Sequence, residues 1–295
     1  MSTPSKIHVA GIIPVANMVS DFELQTPEVL LPLNTNYTAI QKSVYECALA
    51  GCSTIWIVAN DDMAPAIRTI IGEWIYDPVY YATMTRFSSE QRRETPIYYV
   101  PIHPKDRDRR DSYGWSALYG AYSAWKTAHR LSKWITPDKY YVSFPMSAYD
   151  VEQIRSHRKQ IKHRTANFFL SYDGATVKDN KLLAFTFTGE DFKQCRRHIN
   201  KLTTREYLPP LHGHQYPTQK LPIAERWTAR QFDFQKIFQK VSKTNATHLD
   251  LSWYYDISSW GGYRDFLASD FSLETPPKHL TKAHKHVKIS YDLEK

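Results

Sequence analysis

Four aspartates stand where hydrophobic runs end. Asp61 and Asp62 follow STIWIVAN (53–60), Asp150 follows KYYVSFP (139–145), and Asp256 leaves the segment WYYDI. Carboxylates converging at strand ends hold Mg2+ or Mn2+ against phosphate groups, and open α/β sheets bind ligands at that edge. The same positions also suit helix caps, above all for Asp61 and Asp62. A second set is cationic. The run KDRDRR (105–110) gathers Arg107, Arg109 and Arg110, and clustered guanidinium groups attract phosphate. Trp115 follows closely. With Tyr113, Trp125, Trp134, Trp253 and Trp260 it belongs to the aromatics lying beside basic residues, which either stack bases or fill a core.

Other chemistries find less support. His212 with His214 and His284 with His286 are imidazole pairs, but no cysteine or acid stands at a structural-zinc spacing from them. No G-x-S-x-G elbow is present, which disfavours a serine hydrolase. Phosphate cradles need glycine so that backbone N–H groups can approach the ligand. The chain has only ten glycines, none between Gly11 and Gly51, and neither GxGxxG nor GxxxxGK[ST]. P-loop ATPases and ordinary dinucleotide-binding dehydrogenases are thereby disfavoured.

The elements that would position these residues follow from periodicity. KIHVAGIIPVA (6–16) reads as a buried strand; its apolar stretch is broken by His8 and Pro14, unlike a secretory leader. Ile40, Val44, Cys47 and Ala48 follow helical spacing between Tyr37 and Ala50, and Gly51 is a helix stop. A strand over 53–60 leads to a helix capped by Asp62 and carrying Ile67, Ile70, Ile71 and Trp74. Strands over 96–104 and 139–145 flank a helix from about Trp115 to Leu131, with Leu118, Tyr122, Trp125 and His129 on one stripe. Strands alternating with helices to residue 163 imply a parallel sheet covered on both faces. Beyond 165, a hairpin-like strand pair, a helix (DFKQCRRHINKL), a proline-rich excursion over 207–222, an amphipathic helix over 232–243 and a strand over 248–258 are expected.

Composition bounds the class. The 295 residues are 42% hydrophobic and 14% aromatic, so the chain has a core to build and is not a disordered one. No apolar run approaches the ~20 residues that span a bilayer, so no membrane is expected. Cys47, Cys52 and Cys195 form no disulfide framework and fit a reducing cytoplasm. The charge balance is +8, with basic clusters at 105–110, 155–164, 193–205 and 278–288. Such clusters bind polyanions or are solvated helix faces.

Three blocks together resemble the sugar-phosphate nucleotidylyltransferases. PEVLLPLNTNYTAIQKSVYECALAGCSTIWIVAND (27–61) is similar to that family's Pro-Lys-x-Leu-Leu-Pro run, helix, "AG" stop and strand. GWSALYGAYSAWKT (114–127) and KYYVSFPMSAYDVEQIRSHR (139–158) resemble its Gly-Thr-Ala-Gly helix and its strand–Gly-Asp metal motif. WYYDISSWGGYRDFLAS (253–269) is close to its Trp-x-Asp-Ile-Gly-Thr segment. The resemblance implies a metal-binding role for Asp256 and a nucleotide contact at Gly114. The chain departs from the pattern at three places. The Gly-rich signature with its catalytic arginine is missing from 14–26, Glu28 replaces the phosphate-binding lysine, and Ser143-Phe144-Pro145-Met146 replaces Gly-Asp, leaving Asp150 as the nearest acid.

The expectation is therefore an α/β protein with a GT-A-like (Rossmann-like), mainly parallel sheet, helices on both faces and a C-terminal α+β extension. Residues 1–164 form a nucleotide-binding core, 165–269 the C-terminal part of the same fold with the acceptor side, and 270–295 a basic tail. The expected ligands are a nucleoside triphosphate or nucleotide-sugar with Mg2+ or Mn2+. Asp256 and Asp150 serve as metal-binding catalytic residues, and Gly114, Trp115, Asp61, Asp62, Arg107, Arg109 and Arg110 line the nucleotide. The reaction expected is nucleotidylyl transfer to a sugar phosphate. Alternatives are glycosyl transfer, with DNA bearing modified bases as one acceptor, and recognition without catalysis on the same fold.

Overall fold

The computed structural model describes residues 7–79, 94–103, 106, 112–203, 208, 210–219 and 232–275. In chain order the strands are β1 (Val9–Pro14), β2 (Pro32–Asn34), β3 (Tyr37–Thr38), β4 (Thr54–Val58), β5 (Trp74–Tyr76) and β6 (Glu94–Val100). They continue with β7 (Lys139–Val142), β8 (Ser147–Ala148), β9 (Phe168–Ser171), β10 (Phe185–Thr188), β11 (Thr247–Asp250) and β12 (Tyr255–Asp256). The helices are α1 (Ala39–Ala50), α2 (Ala64–Ile71), α3 (Tyr113–Leu131), α4 (Gln153–His163), α5 (Gly189–Thr203), α6 (Phe234–Ile237), α7 (Trp260–Leu267) and α8 (Phe271–Glu274).

Eight strands make one sheet in the order β11-β9-β10-β7-β1-β4-β6-β5. Its centre, β7-β1-β4-β6, is parallel throughout. β10 runs antiparallel to both β7 and β9, and β5 runs antiparallel to β6. This is the mainly parallel α/β sheet the sequence implies, with the expected antiparallel pair after residue 165. β1 is buried along its whole length, as a central strand covered on both faces must be.

α1 is closed at both ends by local signals. Thr38 and Gln41 form a capping box, and Gly51 (φ 85°) ends the helix in the left-handed region. All twelve residues of α1 are buried, not only the apolar stripe. Arg158 on α4 donates to the α1 carbonyls of Ala48 (2.7 Å) and Leu49 (3.1 Å) and pairs with the buried Asp77, so a cation sits at the helix C-terminus. Lys139 on β7 does the same for α4, donating to the carbonyls of Ile161 (3.4 Å), Arg164 (2.6 Å) and Ala166 (2.6 Å).

Several local expectations need correction. α2 starts one residue later than Asp62 would cap: Met63 is its N-cap, and the Asp62 carboxylate accepts only the adjacent Met63 N–H (3.0 Å). Gly72 ends α2, and Trp74 belongs to β5. α3 buries Gly114, Ala117, Leu118, Ala121, Ala124 and Ala128, a face of mostly small residues, while Trp125 and His129 lie outside. Small residues let α3 lie tight on the sheet: a Cβ at Gly120 would come within 2.6 Å of Ile12 and 2.7 Å of Val58. The helix expected over 232–243 is a single turn, α6, followed by irregular chain.

The core is rich in tyrosine, and this sets the response to alkali. Burial, first among the causes, raises the phenols of Tyr37, Tyr113, Tyr141 and Tyr149 well above 10 and also lifts those of Tyr45 and Tyr140. Unfolded tyrosine loses its proton near ~10. Above that pH the unfolded state binds fewer protons than the folded one, so stability falls as pH rises. Lys139 acts oppositely below that point. Burial pulls it down to about 8, the unfolded chain holds its proton to about 10.4, and stability rises across that window. A pH titration of stability is expected to rise from pH ~8 and then fall above ~10, with a step in phenolate absorbance from the buried tyrosines accompanying unfolding. Phenolate absorbance that reaches its full unfolded value before unfolding contradicts this.

Candidate functional site

The chain leaves β1 to build β4 and β6 on one side, then returns to place β7 on the other. The β1/β7 boundary is thus the topological switch point of the sheet, and ligands of open α/β sheets bind outside the strand C-termini there. Three loops and one helix end meet at this edge.

The loop after β1 holds no glycine, yet it is tied down closely. The N–H groups of Val15 and Ala16 both donate to the Val58 carbonyl (2.9 and 2.8 Å). Ser116 on α3 donates to the Ala16 carbonyl (2.7 Å). Asn17 (φ 60°) and Glu23 (φ 50°) take left-handed backbone conformations. Asparagine tolerates this; glutamate does so at a cost of about 1–2 kcal/mol. Strain of that kind is concentrated in loops that serve sites.

The loop after β7 is buried from Ser143 to Tyr149, and α1 anchors it from below. Lys42 on α1 donates to the Phe144 carbonyl (2.9 Å) and Ser147 Oγ (3.1 Å), and lies 4.3 Å from the Tyr149 ring centroid. Glu46, one turn on, is 3.5 Å from Lys42. Its Oε1 accepts from Tyr141 (2.7 Å), and its Oε2 from Ser143 (2.6 Å) and Tyr149 (2.9 Å). Burial lowers the Lys42 pKa, and Glu46 opposes that. Every oxygen of the carboxylate and the ammonium has partners, which is the condition for keeping a buried ion pair. Within the Ser143-Phe144-Pro145-Met146 segment, Phe144 and Met146 are both fully buried.

α3 starts at the same edge. Ser112 caps it by accepting from the Trp115 N–H (3.3 Å), and the helix dipole puts partial positive charge there. Gly114 packs against α6: a Cβ there would lie 2.8 Å from Ile237 and 3.2 Å from Phe234. Trp115 is buried. The Tyr113 ring packs, tilted, against Phe144 (5.5 Å) and Phe234 (5.7 Å). Its hydroxyl is buried without a hydrogen-bond partner. Burial, then Asp256 and Tyr254, hold this phenol well above its ordinary pKa. An orphaned buried hydroxyl forfeits about 1–3 kcal/mol, and here it belongs to the first residue of α3.

Asp256 sits on an exposed turn beside this point. Its Oδ1 accepts from the Ser258 N–H (3.0 Å) and hydroxyl (2.6 Å). Gly262 closes the turn, because any Cβ there would fall 1.8 Å from the Asp256 carbonyl oxygen. Asp150 has other partners. Asp256 faces Ser147 across the β8/β12 ladder, and Asp150 lies beyond the end of that ladder. Its two oxygens accept from the Glu152 N–H (3.0 Å) and the Gln153 amide (3.2 Å) at the start of α4. Asp21, which the sequence does not single out, bonds the chain just beyond Asp256. Its N–H donates to the Ser258 carbonyl (3.3 Å), and its Oδ1 accepts from the Trp260 N–H (2.8 Å). Asp61 lines an open groove with Ala64, Pro65, Arg68 and Tyr99 beside α2, and Asp62 is exposed next to it. Arg107, Arg109 and Arg110 lie outside the described residues.

No group of three or more His, Cys, Asp or Glu side chains is placed to hold a metal among the described residues. His212 and His214 are exposed in a loop. Mg2+ commonly takes one or two carboxylates and completes its shell with water and phosphate. Asp256 with Asp21 fits that mode by its chemistry.

No family model and no curated protein matches the chain. Its structure is similar to that of a protein from Bacillus anthracis described as a glucose-1-phosphate thymidylyltransferase. The TM-score is 0.53 at 11% identity, over 89% of this chain and 96% of that one. Rv0371c from Mycobacterium tuberculosis (TM-score 0.49, 14% identity, 89% and 99% covered) is also similar, as is a nucleoside-diphosphate-sugar pyrophosphorylase from Vibrio cholerae (0.46, 13%, 88% and 100%). The fold is nucleotidyltransferase-like. At such identity the likeness is one of fold, and function must be argued from the site. No helix among the described residues is long and apolar enough to cross a membrane.

Proposed function

We propose that the protein binds a nucleoside triphosphate or nucleotide-sugar at the β1/β7 switch point and transfers its nucleotidyl group to a sugar phosphate. The observation that carries this reading is the Tyr113 hydroxyl, buried without a partner at the start of α3 and within electrostatic reach of Asp256. A ligand oxygen reaching that hydroxyl supplies the missing hydrogen bond. The partial positive charge at the α3 N-terminus favours phosphate. The sequence immediately before α3 supplies Arg107, Arg109 and Arg110 as further phosphate partners. Asp256 with Asp21 would hold a divalent ion, which would neutralise phosphate charge. With a nucleoside triphosphate as donor, the sugar-phosphate oxygen attacks the α-phosphorus, the bond to the α–β bridging oxygen breaks, and pyrophosphate leaves; positioning and charge neutralisation provide the acceleration.

A second reading, recognition without turnover, draws on a specific observation: the loop after β7 presents buried Phe144 and Met146 where a metal-binding acid is expected. One assay separates the two. Pyrophosphate release is measured with each nucleoside triphosphate, glucose 1-phosphate and Mg2+, for the native protein and Asp256→Asn. Transfer predicts release that falls on the order of 100-fold or more in the variant. Ligand binding with no release from any combination rejects transfer and favours recognition.

A further inference from the structure

Away from the switch-point crevice, the outer sides of α3 and α5 share a ladder of rings. Phe192, Tyr122, Trp125 and His129 follow one another at centroid distances of 6.5, 6.2 and 5.2 Å, with interplanar angles of 19°, 28° and 8°. The inner end, Phe192, is buried, whereas Trp125 is 38% exposed and His129 is exposed at the outer end. The ladder therefore grades from core to solvent and stops on an open ring.

Cations surround it. The Arg196 guanidinium lies 4.4 Å and the Lys126 ammonium 5.6 Å from the Tyr122 centroid, a range in which cation–π attraction acts. Arg197 and Lys193 are exposed on the next strip of α5. On the far flank His198 is pulled below its ordinary pKa by burial and then by Lys240, Lys201 and Lys236, so positive charge continues around the helix. Opposing charge is sparse. α3 contains no acidic residue. On α5, Glu190 pairs with Lys193 at 3.5 Å, while the buried Asp191 is occupied by Asn167, Thr188 and the Ser242 N–H. Across α3 and α5 Glu190 is the one exposed acid, against the exposed cations Lys126, Lys193 and Arg197.

We infer that this face binds a single-stranded polynucleotide, with phosphates along Lys126, Arg196 and Arg197 and a base continuing the ring ladder beyond His129. Charge complementarity selects a polyanion, and the ordered rings select one that carries flat, stackable groups. The surface is separate from the switch-point crevice, so the inference stands whether or not that crevice transfers a nucleotidyl group.

The test is fluorescence anisotropy of the full chain with a labelled single-stranded oligonucleotide of about 16 nucleotides, across a salt series. Trp125→Ala and the double variant Lys126→Ala/Arg197→Ala alter exposed side chains, and circular dichroism verifies their folding. Trp125→Ala is expected to weaken binding on the order of tenfold through the disrupted ladder. The double variant is expected to weaken it and to reduce the slope of log affinity against log salt by about 1.4, at ~0.7 per phosphate contact on a single strand. Unchanged affinity and slope in both variants overturn the inference, since binding then belongs to other basic segments. So does binding in which heparin competes as well as the oligonucleotide and Trp125→Ala has no effect.

Discussion

Replacing Glu46 by leucine is expected to lower stability by about 3–5 kcal/mol, the usual result of removing one member of a buried pair. The physical reason is local and complete. Lys42 keeps its ammonium at 2% exposure with no counter-ion, and the hydroxyls of Tyr141, Ser143 and Tyr149 lose the oxygens they donate to. Adding Lys42→Met removes the stranded charge and is expected to recover part of the loss, leaving the three hydroxyls as the remainder. Denaturant unfolding of the two single variants and the double gives the coupling directly. A loss under about 1 kcal/mol for Glu46→Leu would show that the network does not anchor the loop after β7.

Phe144→Ala is expected to cost a similar amount, about 3–5 kcal/mol, through lost burial and the cavity left behind. Phe144 is fully buried, and its ring meets Phe234 at 5.0 Å, Tyr113 at 5.5 Å and Phe185 at 6.4 Å. The cavity would open beside Tyr113, so ligand-induced stabilisation should shrink along with stability. Equilibrium unfolding measures the first effect, and the same experiment with saturating ligand measures the second. A variant that is destabilised yet binds undiminished would separate Phe144 from the site.

The central sheet was legible because its signals are short-range. Unbroken apolar runs mark β1 and β4, and Thr38 and Gly51 bracket α1 with a capping box and a left-handed stop. What was hidden depends on contacts distant in sequence or on the identity of the buried face. Lys42 and Glu46 lie four residues apart, the spacing of an exposed helix pair; only the burial of all α1 faces shows that they support a loop about a hundred residues away. In α3 the alanines and glycines that pack on β1 and β4 weigh little on a hydrophobic stripe, so the larger Tyr122, Trp125 and His129 seemed the inner face. Trp125 and His129 are the outer one. Asp62 failed as a cap because the chain turns once more before α2 begins at Ala64.

The site was legible as an edge and not as a constellation. Asp256 and Asp150 were both singled out because they follow strands, and the sequence does not tell how far apart they fall. The β8/β12 register places Asp150 past the ladder, at the start of α4. Asp21 had no motif to mark it; it joins the Asp256 turn through Ser258 and Trp260, more than two hundred residues downstream. Tyr113 stood out in the sequence only as one of several aromatics beside basic residues; its orphaned hydroxyl exists only once Phe144, Phe234 and the sheet edge surround it.

The claim that the switch-point crevice is a nucleotide site is tested most directly by ligand-induced stabilisation of the native protein and of Tyr113→Phe. Nucleoside triphosphates and nucleotide-sugars are each supplied with and without Mg2+. A ligand at about 100 times its dissociation constant should stabilise the native protein by ~2.7 kcal/mol, a rise of several degrees in melting temperature. Tyr113→Phe removes only an unpartnered hydroxyl, so the unliganded variant should melt no lower than the native protein, while its ligand-induced rise should be largely lost. A melting temperature that no nucleotide moves, or a rise that Tyr113→Phe retains in full, contradicts the claim.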